Sequence, residues 1–348
     1  MSEIGEFGTK SSYEAAEKWC ENVIQSGHEL FFSLEIFDSE LMNASRTLNF
    51  PIEALSSFLR NAHLNHIKKR THPIRTLMQT SIPNEYKSGI SVLQLAKKYN
   101  FSPAMFARSL VEHITDLPKK SITLALRNPI EYLTVDLIHE EYRDLENDPI
   151  RIDPFSGKKE KVKNTCTRLA KEILEAVTSD PIYGPRFDTQ RNQMGVEYEI
   201  LLERSLKVMG ISFENEEQLR LKGTSRTPDI LFTCPVGIKV PKRCDGSPTG
   251  TSNSEDKTEW KMICWIDSKA LFGDVKSHQT VLQQAETYVH RYGPGLILYW
   301  FGHAPTELLS NAHGDVFVAG WNVPKLFMLA TGDIAQDGRH SEVRSYEQ

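Results

Sequence analysis

The sequence predicts an α+β protein, helical in its first part and built of strands and helices in its second. Three observations carry that expectation. From residue 13 to about 145, apolar residues recur at helical spacing. Further on, two apolar runs, Pro228–Pro235 and Lys261–Ala270, read as strands that each bring an acid to one end. Around them, Gly195 to Gly210 and Val275 to Tyr292 have amphipathic helical patterns, and Leu296–Phe301 suits a buried strand after the Gly293-Pro294-Gly295 turn.

In the first part, Val92–Tyr99, the turn Asn100-Phe101-Ser102-Pro103 and Ala104–Ile114 read as helix, turn, helix. Ser102 is placed to cap the second helix, with Pro103 at its first position. Leu95, Ala96, Tyr99, Phe106, Leu110 and Ile114 give the two helices facing apolar stripes. An echo precedes it: Ala44–Leu48, then Asn49-Phe50-Pro51, then Ile52–Ile67. Such pairs serve either nucleic-acid binding, with Arg108 and His113 as readers, or plain helical packing. Arg151–Lys163 reads as a linker, Thr165–Thr178 as a connecting helix, and the polar stretch after Thr331 as a disordered tail. The expected domains are thus 13–150 (helical), 151–179 (linker and connecting helix), 180–330 (the strand-bearing domain) and 331–348 (tail).

The two strands carry the chemistry. Asp229 follows Pro228 at the start of the first. In the second, a two-residue period puts Asp267 and Lys269 on one face and Ser268 on the other. Two carboxylates and a lysine at strand ends are costly unless a cation or phosphate compensates them. A hard divalent ion, Mg²⁺ or Mn²⁺, suits two acids with the Ser268 carbonyl as third donor, and a neighbouring lysine orients or deprotonates water. The plainer alternatives are a turn role for Asp229, a surface ion pair for Asp267 and Lys269, and a first-turn acid for Glu199.

This Pro-Asp…Asp-X-Lys pattern resembles the PD-(D/E)XK, restriction-endonuclease-like nucleases. Gly195-Val-Glu-Tyr-Glu199 resembles the helix that starts their core, with Glu199 as the matching acid and Glu197 in reserve. Gln284 and Tyr288 resemble the Gln-X-X-X-Tyr of the RecB-like branch. The resemblance implies a mixed central sheet, catalytic Glu199, Asp229, Asp267 and Lys269, and metal ligands Asp229, Asp267 and Ser268. Longer strings, Asp180-Pro-Ile-Tyr-Gly-Pro185, Glu216 to Asp229, Trp265 to Asp274 and Arg291 to Trp300, resemble one eukaryotic family, the codanin-interacting nucleases; His66 to His72 looks familial as well. That family implies N-terminal helix-turn-helix-like segments and a complex with codanin, which in turn binds a histone chaperone. Residues 237–259 look like an insert longer than the family pattern.

Composition limits the alternatives. A formal charge of −5 over 348 residues gives no global field for nucleic acid, leaving local runs such as Lys68-Lys69-Arg70 and Lys158–Lys163. The five cysteines form no Cys-X-X-Cys pair, and Cys234 and Cys264 are expected to be buried in the strands. His63 and His66 are expected on a helix surface. No apolar run approaches the ~20 residues of a membrane span. The expectation is a nuclear and cytoplasmic, metal-dependent nuclease acting on DNA or RNA, partnered by a codanin-like protein. A catalytically silent adaptor of the same fold is the alternative, and a DNA-binding regulator using only the N-terminal helices ranks behind both.

Overall fold

The computed structural model describes residues 10–26, 29–143, 151–152, 159–160, 167–241, 258–309 and 314–336. Helices α1 (Lys10–Gln25), α2 (Leu34–Leu48), α3 (Ile52–Met78), α4 (Ile82–Lys87), α5 (Val92–Lys98), α6 (Pro103–Ile114), α7 (Lys119–Arg127), α8 (Pro129–Tyr132) and α9 (Glu140–Arg143) come first. Two short antiparallel strands, β1 (Arg151–Ile152) and β2 (Lys159–Glu160), lead to α10 (Thr167–Ser179) and α11 (Pro185–Val208). Then follow β3 (Phe213–Asn215), α12 (Glu216–Leu221), β4 (Ile230–Pro241), β5 (Thr258–Lys269), α13 (Val275–Tyr292), β6 (Gly295–Tyr299), β7 (Val316–Gly320), β8 (Leu326–Met328) and β9 (Ile334–Gln336). The protein is α+β. No described helix is long and apolar enough to cross a membrane.

The chain packs as two compact units, one from Lys18–Thr47 and Leu59–Arg191, the other from Met1–Glu17, Leu48–Phe58 and Asn192–Gln348. In the helical unit, the α5–α6 turn is made by Asn100 in the left-handed region (φ 45°), followed by buried Phe101. The Ser102 hydroxyl accepts from the Met105 N–H and Pro103 opens α6. The echo has the same construction: Asn49 is left-handed (φ 50°) and Phe50 buried. Asparagine tolerates that region better than other non-glycine residues, which is why it precedes the phenylalanine at both turns.

Asp180 holds this unit together at the start of α6. Its carboxylate is buried and accepts from the Ser102 hydroxyl (2.5 Å) and from the N–H groups of Ala104 (3.0 Å), Ile182 (2.8 Å) and Tyr183 (2.7 Å). Arg108, a reader of bases or phosphates only if the helix pair binds nucleic acid, donates to the Thr123 hydroxyl at 2.8 Å and faces Glu112 at 3.9 Å. His63 is not on a helix surface: it is buried and stacked on Phe31 at 3.9 Å, and burial pushes its pKa down to about 3.

The other unit is built on a mixed sheet of order β7-β6-β5-β4-β8-β9, with β3 also paired to β4. β4 runs antiparallel to β5, β3 and β8, while β5, β6 and β7 are parallel. α13 covers one face, where Trp265, Val281, Ala285, Tyr288, Ile297 and Tyr299 form a core. Gly295 stands beside Trp265 in the ladder, and a Cβ there would lie 2.0 Å from the indole, so this contact admits only glycine. The N-terminal pieces of the unit pack on Phe272: the Ser57 hydroxyl accepts its N–H at 2.7 Å, and Tyr13, Phe50 and Phe58 surround its ring.

Several expectations shift. The helix placed at Gly195 begins ten residues earlier, at Pro185, and Gly195 is interior to it. The glycine stop is as expected: Gly210 (φ 72°) donates to the Lys207 carbonyl and Ile211 to that of Leu206, the Schellman pattern. The strand after Pro228 continues to Pro241, so residues 237–241 and 258–259 of the expected insert lie in strands, and 242–257 lie outside the described residues. Cys234 is exposed and Cys264 half-buried, because β4 and β5 lose register between Leu231 and Val236 and Cys234 falls in that bulge. In the expected tail, Ile334–Gln336 form β9, and residues 337–348 lie outside the described ones. The basic run 158–163 lies mostly outside them too.

Candidate active site

Register brings the two aspartates together. Ile230 on β4 faces Ile266 on β5 in an antiparallel ladder, so one step earlier on β4 and one step later on β5 sets Asp229 opposite Asp267. The Asp229 carboxylate accepts the Ser268 N–H at 2.6 Å. Asp267 is buried, and the Lys269 ammonium lies 2.6 Å from its Oδ2 with 19% of its own side chain exposed. That contact is an ion pair outside hydrogen-bond angles, so Asp267 Oδ2 has no directed donor.

The electrostatics follow from burial. Desolvation first, and then the charge of Asp267, hold the Asp229 carboxyl well above the ordinary carboxylate range, with Lys269 and the Ser268 N–H opposing. Asp267 is raised by its burial, against the pull of Lys269. Burial works against the charge on Lys269, but Asp267 and Asp229 more than restore it, so its pKa lies above the usual lysine value.

Glu199 on α11 joins this cluster through space. Its residue is exposed, yet partial desolvation of the carboxyl, then Glu216, and more weakly Asp267, raise its pKa. Glu197 lies on an exposed face beside Val196 and Ile200. Gln284 and Tyr288 do meet: the amide donates to the phenol oxygen at 2.6 Å, and the phenol donates to the Thr227 carbonyl at 3.0 Å. Burial pushes the Tyr288 pKa up to about 12, so it remains a donor. The pair thus holds the loop two residues before Asp229.

Two contributors were not singled out from the sequence. Glu216 opens α12 and raises the pKa values of both Glu199 and Asp267. The readable signal was the capping box Asn215-Glu-Glu-Gln218, which fixes where α12 begins. Trp300 donates its indole N–H to the Ser268 hydroxyl at 2.7 Å and stacks on Tyr198 at 4.7 Å. It thereby anchors the side chain of the residue whose N–H holds Asp229.

Among the described residues, no three histidine, cysteine, aspartate or glutamate side chains converge to hold a metal by themselves. The donor set that fits a hard divalent ion is the Asp229–Asp267 pair with the Ser268 carbonyl. The buried, undirected Asp267 Oδ2 and the two raised acids are what a site short of positive charge presents.

Comparison with known proteins matches residues 165–319 to a family described as "Protein of unknown function TPD sequence-motif", and Thr227-Pro228-Asp229 lies inside that stretch. Proteins named CDAN1-interacting nuclease 1 are similar to most of the chain. The Xenopus laevis protein is 30% identical over 258 residues, 72% of this chain and 67% of that protein. The Danio rerio protein is 32% identical over 218 residues, 61% of this chain and 55% of its own. The Homo sapiens protein is 29% identical over 263 residues, 71% of this chain and 75% of its own. No solved structure matches. The matched residues 165–319 include the strands that set Asp229 opposite Asp267, and by its 30% identity over most of the Xenopus laevis protein the chain belongs to the CDAN1-interacting nuclease 1 family.

Proposed function

We propose that the chain is a metal-dependent nuclease of the PD-(D/E)XK type, hydrolysing phosphodiester bonds of nucleic acid. The observation that supports it best is half-buried Asp229, at the entry to β4, set opposite buried Asp267 on β5, with Lys269 in ion-pair contact with Asp267. Asp229, Asp267 and the Ser268 carbonyl would hold Mg²⁺ or Mn²⁺. Such an ion supplies Lewis-acid neutralisation of the phosphate charge when bound. Lys269 donates to the attacking water or a non-bridging oxygen, and the Ser268 N–H keeps the Asp229 carboxylate in place. Glu199 orients the water from α11. Water adds to phosphorus as the bond to the leaving oxygen breaks.

The raised acids give a test with a defined sign. A carboxyl whose pKa is raised on folding stabilises the fold at acidic pH, and that contribution is lost as pH climbs above ~4 through the folded pKa. The stability these two acids contribute to the metal-free protein, read as the wild-type melting temperature less that of Asp229→Ala/Asp267→Ala, is therefore expected to fall as pH rises from acid towards neutral. Mn²⁺ should restore the melting temperature, more so at higher pH, and should release protons on binding. Calorimetry comparing the wild type with Asp229→Ala/Asp267→Ala checks this. Equal heats and equal melting curves would end the site assignment.

The relatives' name adds a partner. We propose that this chain binds a codanin-like protein, and through it a histone chaperone, in nucleus and cytoplasm. An adaptor role is supported by one feature: α11 exposes Val196, Ile200 and Val208 along one stripe. Ile200→Glu is expected to lower co-purification with codanin while leaving Mg²⁺-dependent cleavage in place. Unchanged capture would remove α11 from the contact, and capture with no cleavage by any wild-type preparation would favour the adaptor.

A further inference from the structure

A groove of about 800 Å³ opens between α13 and the loop joining α12 to β4. Its lining is dominated by hydrogen-bond donors: Arg220, Arg226, Gln283 and several threonines, with Glu216 as the one acid. Glu216 is already engaged, accepting from Arg220 Nη2 at 2.7 Å and from the Thr227 hydroxyl at 3.3 Å. Arg226 differs. Among the described residues it has no ion-pair or hydrogen-bond partner, and it stands three positions before Asp229.

Its backbone is held in an unfavourable state. Arg226 has φ 56°, in the left-handed region that side chains other than glycine, asparagine and aspartate seldom adopt. The neighbours on both sides are fixed. Arg291 Nη1 donates to the Ser225 carbonyl at 2.6 Å, and the Tyr288 phenol donates to that of Thr227 at 3.0 Å. Two ties from α13 therefore impose the strained conformation on an arginine where glycine would relieve it. Strain kept at a free cation that shares a groove with Glu216 and stands three residues before Asp229 points to use of that cation.

We propose, on the nuclease reading above, that this groove carries the sugar–phosphate backbone of one nucleic-acid strand to the acid pair, with Arg226 clamping a phosphate next to the scissile bond. The lining offers charge and hydroxyl donors but no exposed aromatic platform, so it reads phosphates and leaves the bases unread. A chain of formal charge −5 thus meets a polyanion through a local basic track, and not through its overall field.

The test uses the full chain carrying Asp267→Asn in every arm, so that a labelled 12-nucleotide single-stranded DNA stays intact. Anisotropy titrations across salt give the slope of log K against log salt. Arg226→Gly is expected to reduce the magnitude of that slope by about 0.7, the value for one lost single-strand phosphate contact. The same substitution should leave the melting temperature equal or higher, because glycine accepts the left-handed backbone. Lys239→Ala, on the exposed side of β4, should not change the slope. Oligo-dT and oligo-dA should bind within a few-fold of each other. A slope unmoved by Arg226→Gly, or one moved equally by Lys239→Ala, overturns the clamp while leaving the nuclease reading standing. Absence of binding to single-stranded, double-stranded and branched DNA and RNA alike before Arg226 is changed overturns that reading itself.

Discussion

Lys269→Ala is expected to lower phosphodiester cleavage by a factor on the order of 10² to 10³, the usual cost of removing one donor aimed at developing charge. The ammonium sits 2.6 Å from Asp267 and is held protonated by two carboxylates, so no other described cation duplicates its position. The substitution also leaves Asp267 buried without its counter-ion, and some loss of stability should accompany the loss of rate. Lys269→Met, which keeps the aliphatic volume, separates the two effects: both variants should lose cleavage, and the methionine should melt closer to wild type. The measurement is Mg²⁺-supported hydrolysis of single-stranded, double-stranded and branched nucleic acids, with EDTA as the zero. Activity that survives both lysine variants and EDTA would belong to another site.

The largest stability effect is expected away from the acid pair. Asp180→Ala removes the acceptor of four hydrogen bonds and leaves the Ser102 hydroxyl and three N–H groups without it. An unsatisfied buried donor costs ~1–3 kcal/mol, and with partial relaxation the total should be about 3–5 kcal/mol. For a unit of this size that lowers the melting transition by roughly 10 °C. Asp180→Asn keeps one acceptor oxygen and should lose less. Calorimetric melting of the full chain checks both; an alanine variant within a degree of wild type would mean the carboxylate contributes little net stability.

Asp180 also illustrates what could be read from the sequence and what could not. The string Asp180–Pro185 resembles a family pattern, but its structural role is packing: Asp180 accepts from the start of α6, and Gly184 fits the α10–α11 link because a Cβ would lie 2.6 Å from the Val177 carbonyl. Strings that serve packing and strings that serve chemistry look alike until side chains are placed. Helices with strong local signals were legible: α13 spans the expected Val275–Tyr292, with Asp274 accepting from Lys276 and Ser277. The start of α11 was not, since Gly195 within a helix gives the same local signal as Gly195 before one. Pairing of β4 with β5 follows from alternation, whereas their bulge, which exposes Cys234, depends on three-dimensional register. The grouping of Glu216 with Glu199 and Asp267 is a through-space fact with no periodicity to announce it.

The packing of Phe272 under Ser57, Tyr13 and Phe58 has a consequence for biosynthesis. The Ser57–Phe272 contact spans 215 residues, so at ~5–20 residues per second the first partner waits roughly 10–40 s for the second to be made. During that interval Tyr13, Phe50 and Phe58 lack the Phe272 ring on which they pack in the native unit, although Tyr13 and Phe58 can already stack on each other. Closing so long a loop is slow, and it invites chaperone capture of the nascent chain. A fragment begun near residue 180 would emerge faster but with the Phe272 ring uncovered, and its yield should improve when a peptide covering residues 10–58 is supplied in trans.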